Sequence, residues 1–188
     1  MEVLTYFYEL IWQNRKYQGI TVHIVSDLQM KVHSLRSPVL LILCIAIPLL
    51  AGVVGSFSTM SSIPTWYAGL IKPMLTPPNW LFGPVWTTLY ILMGIALYLV
   101  VREGTEKKPV QLGIIVFAAQ LIVNVLWSLV FFGLQSPLLG LITILVLIAL
   151  VLATIYFFYQ VSRTAAAFLV PYIACIATYL NAMVLVLN

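Results

Sequence analysis

The side chains in this sequence that are able to do chemistry are aromatic or neutral and polar. Gln120, Asn124, Trp127 and Phe131 recur at helical spacing inside a long apolar stretch, which places them on one stripe of a helix. Amides in such a stretch face the interior of a helical bundle. There they either hydrogen-bond helix to helix or line a ligand pocket beside aromatic walls. The densest stretch runs from Pro64 to Tyr90 and contains Trp66, Tyr67, Lys72, Pro73, Pro77, Pro78, Trp80, Trp86 and Tyr90. The prolines at 64, 73, 77 and 78 forbid a continuous helix before Trp80, so this segment reads as a stiff loop over the helix ends. Trp and Tyr favour the membrane interface in any case. That preference accounts for the aromatic residues but not for the proline bracing, which suits a lid over an apolar cavity. In the last apolar stretch Tyr172, Cys175 or Ile176, and Tyr179 share a helix face.

Other chemistry is missing. The predicted spans hold no charged residue, which argues against an ion-coupled transporter, a pump or a charge-selective channel, and against general acid–base catalysis of the usual kind. Cys44 and Cys175 have no metal-ligand spacing and suggest no disulfide. His23 and His33 stand ten apart with no carboxylate at helical spacing. No metal site is expected, and no basic face for nucleic acid.

The elements that must position these groups follow from composition. Of 188 residues 63% are hydrophobic and only 7% charged, against about 25% charged in soluble domains, and the mean hydropathy is +1.09. This excludes a soluble globular enzyme, a disordered chain and a disulfide scaffold. It leaves an all-α integral membrane protein. The charge-free runs are 37–71, 73–101, 109–162 and 164–188. A spanning helix takes about 20 residues, so the third run holds two helices, punctuated at Gly133-Leu134-Gln135-Ser136-Pro137. Five transmembrane helices are predicted, near 38–57, 80–101, 109–132, 137–160 and 164–187, with a structured loop between the first two. A transmembrane barrel is excluded because runs such as Leu141 to Leu152 are apolar on every face. With five crossings the basic residues fall on the side of the N-terminus, except Lys72. The positive-inside rule then puts the N-terminus in the cytoplasm, with the C-terminus and the loop 58–79 opposite. Residues 1–37 form an extension, either a flexible tail, an upstream mis-start before Met30-Lys31, or an interfacial segment through Tyr6, Phe7, Tyr8, Leu10, Ile11 and Trp12. No clear cleavage site follows residues 38–57.

At these residues the sequence resembles the TspO/MBR family, the tryptophan-rich sensory and translocator proteins. The resemblance covers roughly 38–188. It is carried by Trp66-Tyr67, Lys72-Pro73 with Pro77-Pro78, the run Trp80 to Tyr90, Gln120-Leu121 with Asn124, Trp127-Ser128 and Phe131-Phe132, then Pro171-Tyr172, Leu180-Asn181 and Asn188. It implies five tilted helices with a loop-covered pocket near one membrane face. It also implies a receptor that binds flat hydrophobic ligands, porphyrin or haem, without a required cofactor, and a homodimer in the lipid bilayer; the alternative is a transporter or efflux facilitator of porphyrins, with passive or partner-driven movement. Trp66, Tyr67, Trp86, Tyr90, Gln120, Asn124, Trp127, Tyr172 and Cys175 are the expected pocket residues. Lys72 is the charge available to a porphyrin carboxylate.

The sequence departs from the family pattern at three places. Leu75 stands where an aromatic residue is usual, and Cys175 where a Trp is usual. The interval from Pro171 to Asn181 is two residues short, a rotation of about 200° on a helix. Porphyrin photodegradation, proposed for the family through a tryptophan pair, would retain Trp86 but lack its partner at Cys175, so the chain is not expected to be an enzyme. No basic residue follows Tyr179, and no special sterol site is predicted. The Leu92, Tyr98, Arg102 pattern reads as chance. Small residues at Ala51/Gly55 and Gly52/Ser56 suggest close packing within the bundle rather than between copies.

Overall fold

The structure is a computed structural model. It describes residues 38–70 and 79–187, with side chains described up to Thr178 outside the segment 71–79. The expectations for residues 1–37, Lys72, Pro73, Leu75, Pro77, Pro78, Tyr179, Leu180, Asn181 and Asn188 lie outside those limits. The bundle is the unit Leu41–Asn188.

The described residues are helical throughout, joined by turns, with no strand among them. Helix α1 is Pro38–Ser62, α2 Phe82–Val101, α3 Lys108–Ser128, α4 Pro137–Val161, α5 Arg163–Phe168 and α6 Val170–Leu187. The first four of these helices are each long and apolar enough to cross a membrane, α3 counting through Gly133. The short α5 and α6 run end to end as the fifth helix. Single 3₁₀ turns at Tyr67–Gly69 and Asn79–Leu81 flank the loop before α2.

Local chemistry sets most of these boundaries. Ser136 caps α4, its Oγ accepting from the Leu139 N–H at 3.4 Å ahead of Pro137. Ser162 both ends α4 and caps α5, accepting from the Ala165 N–H at 3.3 Å. These are favoured capping residues, and proline is tolerated in a first turn. The α3–α4 turn puts Gln135 at φ 53°.

Pro171 breaks the last helix. It has no N–H for the Ala167 carbonyl, and its ring crowds that position. The Leu169 N–H instead turns back to the Ala166 carbonyl at 3.1 Å, and the helix resumes with Ile173 N–H to Leu169 at 3.1 Å.

Two features differ from the expected boundaries. First, α1 runs on past residue 57 to Ser62, so the loop begins at Ile63. The run Ser56 to Ser62 looks loop-like because it is rich in hydroxyls. Those hydroxyls, however, bond to carbonyls one turn back: Ser56 to Val53 at 2.7 Å, Thr59 to Gly55 at 3.1 Å and Ser61 to Ser58 at 3.2 Å. Each side chain satisfies its own polarity within the helix. Second, α3 widens after Ser128 into one π turn, Leu129–Gly133, closed by Leu134 N–H to the Leu129 carbonyl at 2.9 Å. The wide turn brings the adjacent residues Phe131 and Phe132 both into the interior, 6% and 1% exposed.

The helices close into a ring. In α2, Gly94 lies directly against the α1 backbone at Cys44 and Ile45, and Gly52 of α1 lies against the Tyr90 ring. Gly55 of α1 faces Ser128 of α3, and Gly113 of α3 faces Phe158 of α4. Next come α4 against α5 and α6, and α5 back against α2. Small residues let the backbones approach, as van der Waals packing requires where lipid is as apolar as the core. The glycines of α1 thus meet residues of this same chain. The outer faces carry Ile42, Leu50, Phe57, Ile115, Ile122 and Leu152, all exposed and apolar, as a lipid-facing surface demands.

Candidate functional site

The α1 end that bears the loop, the start of α2 and the end of α3 enclose a partly open cavity of about 310 Å³. From α1 come Gly52, Gly55, Ser56, Thr59 and Met60, with Ile63 just beyond. From α2 come Phe82, Gly83, Trp86 and Tyr90, and from α3 Trp127, Ser128 and Phe132. None of these side chains is acidic or basic.

The wall opposite α1 is a stack of rings. Trp86 lies over Trp127 at 6.3 Å between ring centres and 25° between planes. Trp127 stacks on Phe131 at 5.4 Å and 9°, and Trp66 meets Phe131 edge-on at 5.3 Å. Offset and edge-on pairs of this kind each contribute about 0.5–1.5 kcal/mol beyond area burial. Behind the stack Tyr67 is 6% exposed and packs against Phe82 at 6.0 Å and Phe132 at 5.6 Å. Burial pushes the Tyr67 phenol up from its ordinary value, so it is a neutral group at physiological pH.

Beneath the rings runs a buried polar chain joining three helices. The Tyr90 hydroxyl donates to Asn124 Oδ1 at 2.7 Å, and Asn124 Nδ2 donates to the Tyr172 hydroxyl at 2.9 Å. Asn124 is 2% exposed and Tyr172 is fully buried. One turn from Asn124, Gln120 is also buried, yet neither of its amide atoms has a hydrogen-bond partner among the described residues. At the cavity's upper edge Ser62 Oγ donates to the Phe132 carbonyl at 2.7 Å. That carbonyl lies in the last turn of α3, where helix carbonyls lack their own donors, and the Ser136 N–H is committed to Val130.

Of the residues singled out from sequence, Trp86, Tyr90 and Trp127 line the cavity. Asn124 and Tyr172 support Tyr90 from below, and Trp66 and Tyr67 back the ring wall through Phe131 and Phe132. Gln120 and Cys175 do not line it. Cys175 is half-buried on α6, one turn beyond Tyr172. The α1 wall is not legible in the sequence: the small residues at 51, 52, 55 and 56 read as packing, and residues 58–62 as loop. Ser128 and Phe132 stand out only as part of a motif.

Comparison with known proteins agrees with this geometry. Residues 44–187 match the TspO/MBR family. The chain is 45% identical over 150 residues to the Tryptophan-rich protein TspO of Chlorobaculum tepidum, covering 79% of this chain and 95% of that one. It is 47% identical over 139 residues to the protein of that name from Archaeoglobus fulgidus, covering 73% and 89%. It is 42% identical over 133 residues to the human Translocator protein, covering 69% and 78%. A helical membrane bundle with these motifs, matched over most of its length, belongs to the TspO/MBR family.

Proposed function

We propose that this chain is a membrane receptor for tetrapyrroles, porphyrin or haem, or for similarly flat hydrophobic molecules, bound between α1 and the ring wall of α2 and α3. The carrying observation is the cavity itself, with stacked aromatic rings on one side and no acidic or basic side chain among its lining residues. A flat ligand gains most from ring faces and needs few polar anchors. The relatives' names, a tryptophan-rich sensory protein among them, fit a binding role. The cavity volume is at the low end of the roughly 300–1,000 Å³ usual for small-molecule sites, so a full macrocycle requires one wall to yield. That wall is α1, only 17% buried against 28–39% for the other three long helices. Carboxylates on the macrocycle would point toward the loop end, where Lys72 is the nearby charge in the sequence. The same proposal places the N-terminus in the cytoplasm, needs no cofactor, and takes the protein as a homodimer.

The test is titration of the purified full-length protein with protoporphyrin IX, following quenching of Trp fluorescence. Trp86→Phe removes the larger ring from the stack and is expected to weaken binding by about 2- to 10-fold. Asn124→Ala frees the Tyr90 ring and weakens it comparably. Unchanged affinity in both variants would overturn the assignment.

A further inference from the structure

The cavity has one open side among the described residues, and that side faces lipid. The seam between α1 and α3 is shut. Gly55 lies against Ser128, a Cβ on Gly133 would meet Ser58 Oγ at 3.4 Å, and Ser62 holds the Phe132 carbonyl at 2.7 Å. The floor is shut where Gly52 meets the Tyr90 ring. At the loop end Tyr67 fills the space behind Phe82 and Phe132. What remains is the upper half of the seam between α1 and α2. Met60 forms one rim and is 73% exposed. Gly83 forms the other; it is exposed, and a Cβ built on it meets nothing within 4 Å. Phe57, on the same outer face as Met60, is exposed and apolar, so this window lies in the lipid-facing surface.

The cavity also has the depth and polarity of a hydrocarbon site. From its floor at Gly52 to the end of α1 at Ser62 it runs about 15 Å, and one leaflet of a bilayer holds roughly 15 Å of hydrocarbon. Trp80 is exposed at the loop end, the level at which tryptophan marks the membrane interface. The cavity therefore runs alongside the chains of the leaflet on the loop side. Its polar lining groups are already engaged. Ser56 donates to Val53 and Thr59 to Gly55 within α1, Tyr90 donates to Asn124, and the Ser128 hydroxyl lies against Gly55. Little remains to hold water, which needs about two to four polar partners, and a void would leave the lining atoms without contacts.

We propose that the cavity takes up an acyl chain of a phospholipid from the loop-side leaflet. The chain passes sideways between Met60 and Gly83 and lies along α1 with its end near Tyr90, while the head group stays at the level of Trp80. This goes beyond the receptor reading and stands without it. A flat ligand that binds in the cavity displaces the chain.

The experiment places the purified full-length chain in phosphatidylcholine vesicles that contain a phosphatidylcholine with a diazirine near the end of one acyl chain. Illumination converts the diazirine to a carbene that inserts into its neighbours, and mass spectrometry of the digested protein maps the adducts. Adducts are expected on Tyr90 and Ser128, 8% and 9% exposed, as well as on outer residues such as Ile115, Ile122 and Leu152. Gly83→Phe puts a ring into the window from α2, and Met60→Trp narrows it from α1. Each is expected to remove most of the interior adducts and leave the outer ones unchanged. Adducts confined to the outer faces of the wild type would overturn the inference. So would interior adducts that persist in both variants, or that form only with a diazirine fatty acid offered in place of the phospholipid. Interior adducts that fall as protoporphyrin IX binds would uphold the shared cavity. Interior adducts in a protein that fails to bind porphyrin would uphold the acyl-chain site and remove the tetrapyrrole reading instead.

Discussion

Replacing Gly52 by Ala tests whether the site is held by the contact between α1 and Tyr90. A Cβ built on Gly52 lands against the Tyr90 ring, 2.7 Å from Cδ2 and 3.0 Å from Cζ, where carbon atoms are at ease at about 3.5–4.0 Å. The ring must retreat by about 1 Å, and it has little room. It is 8% exposed, it faces Trp86 at 5.7 Å, and its hydroxyl is tied to Asn124 at 2.7 Å. Overpacking of this kind costs about 1–3 kcal/mol, and stretching the Tyr90–Asn124 bond adds about 1 kcal/mol. Opposing both, Ala is the better helix former by about 1 kcal/mol. The net loss is about 1–3 kcal/mol, and at about 2–4 °C per kcal/mol for a chain of this size the melting temperature falls by roughly 2–12 °C. The assay is thermal unfolding of the purified protein in one detergent at one scan rate, repeated in a Tyr90→Ala background. There the obstacle is gone, and Gly52→Ala should cost nothing, the coupling appearing as non-additivity. Gly83→Ala is the control, since a Cβ there meets nothing within 4 Å. If Gly52→Ala melted at or above wild type, or cost the same without the Tyr90 ring, this account of the α1–α2 contact would be refuted.

Three further outcomes follow from the packing. Gly94→Ala is more damaging than Gly52→Ala, because its Cβ meets the Ile45 backbone and lies 2.8 Å from the Cys44 carbonyl oxygen, and backbone cannot swing aside as a ring can; size-exclusion profiles should show less folded protein. Gln120→Met leaves the melting temperature unchanged or raises it, because burying an unpartnered amide costs about 1–3 kcal/mol; a drop of several degrees would show that the amide is satisfied. Ser62→Ala strands the Phe132 carbonyl and costs about 1 kcal/mol, and amide hydrogen exchange over 58–63 should quicken, whereas unchanged exchange would show that the tie does not hold the end of α1.

The parts of this site that are legible in the sequence are those governed by periodicity. Gln120, Asn124, Trp127 and Phe131 form a stripe at α-helical spacing, and all four are buried. Pro171 marks a place where the last helix must either break or absorb a missing N–H, and the structure takes the break. Less legible are features that depend on the surroundings of a residue rather than its type. A serine-rich run reads as loop on intrinsic preference, yet where no water competes the same hydroxyls close on their own helix and carry α1 a further turn. The π turn has no composition signal, since it is defined by where Leu134 N–H and Ser136 N–H find acceptors.

The α1 wall shows why a binding cavity is harder to read than a core. Glycine at 52 brings α1 onto Tyr90, and Ser62 ties its far end to Phe132. Both are packing devices, and taken singly each predicts only close approach. The cavity lies in the turns between them, where Ser56, Thr59 and Met60 face rings that do not fill the space. Its existence is therefore a property of the spacing between two contacts, and its polarity a property of hydroxyls whose protons are already committed within α1. Neither is carried by one residue's identity. This explains why the aromatic half of the site, where Trp86 and Trp127 stand out by residue type, is legible in the sequence, while the α1 half is not.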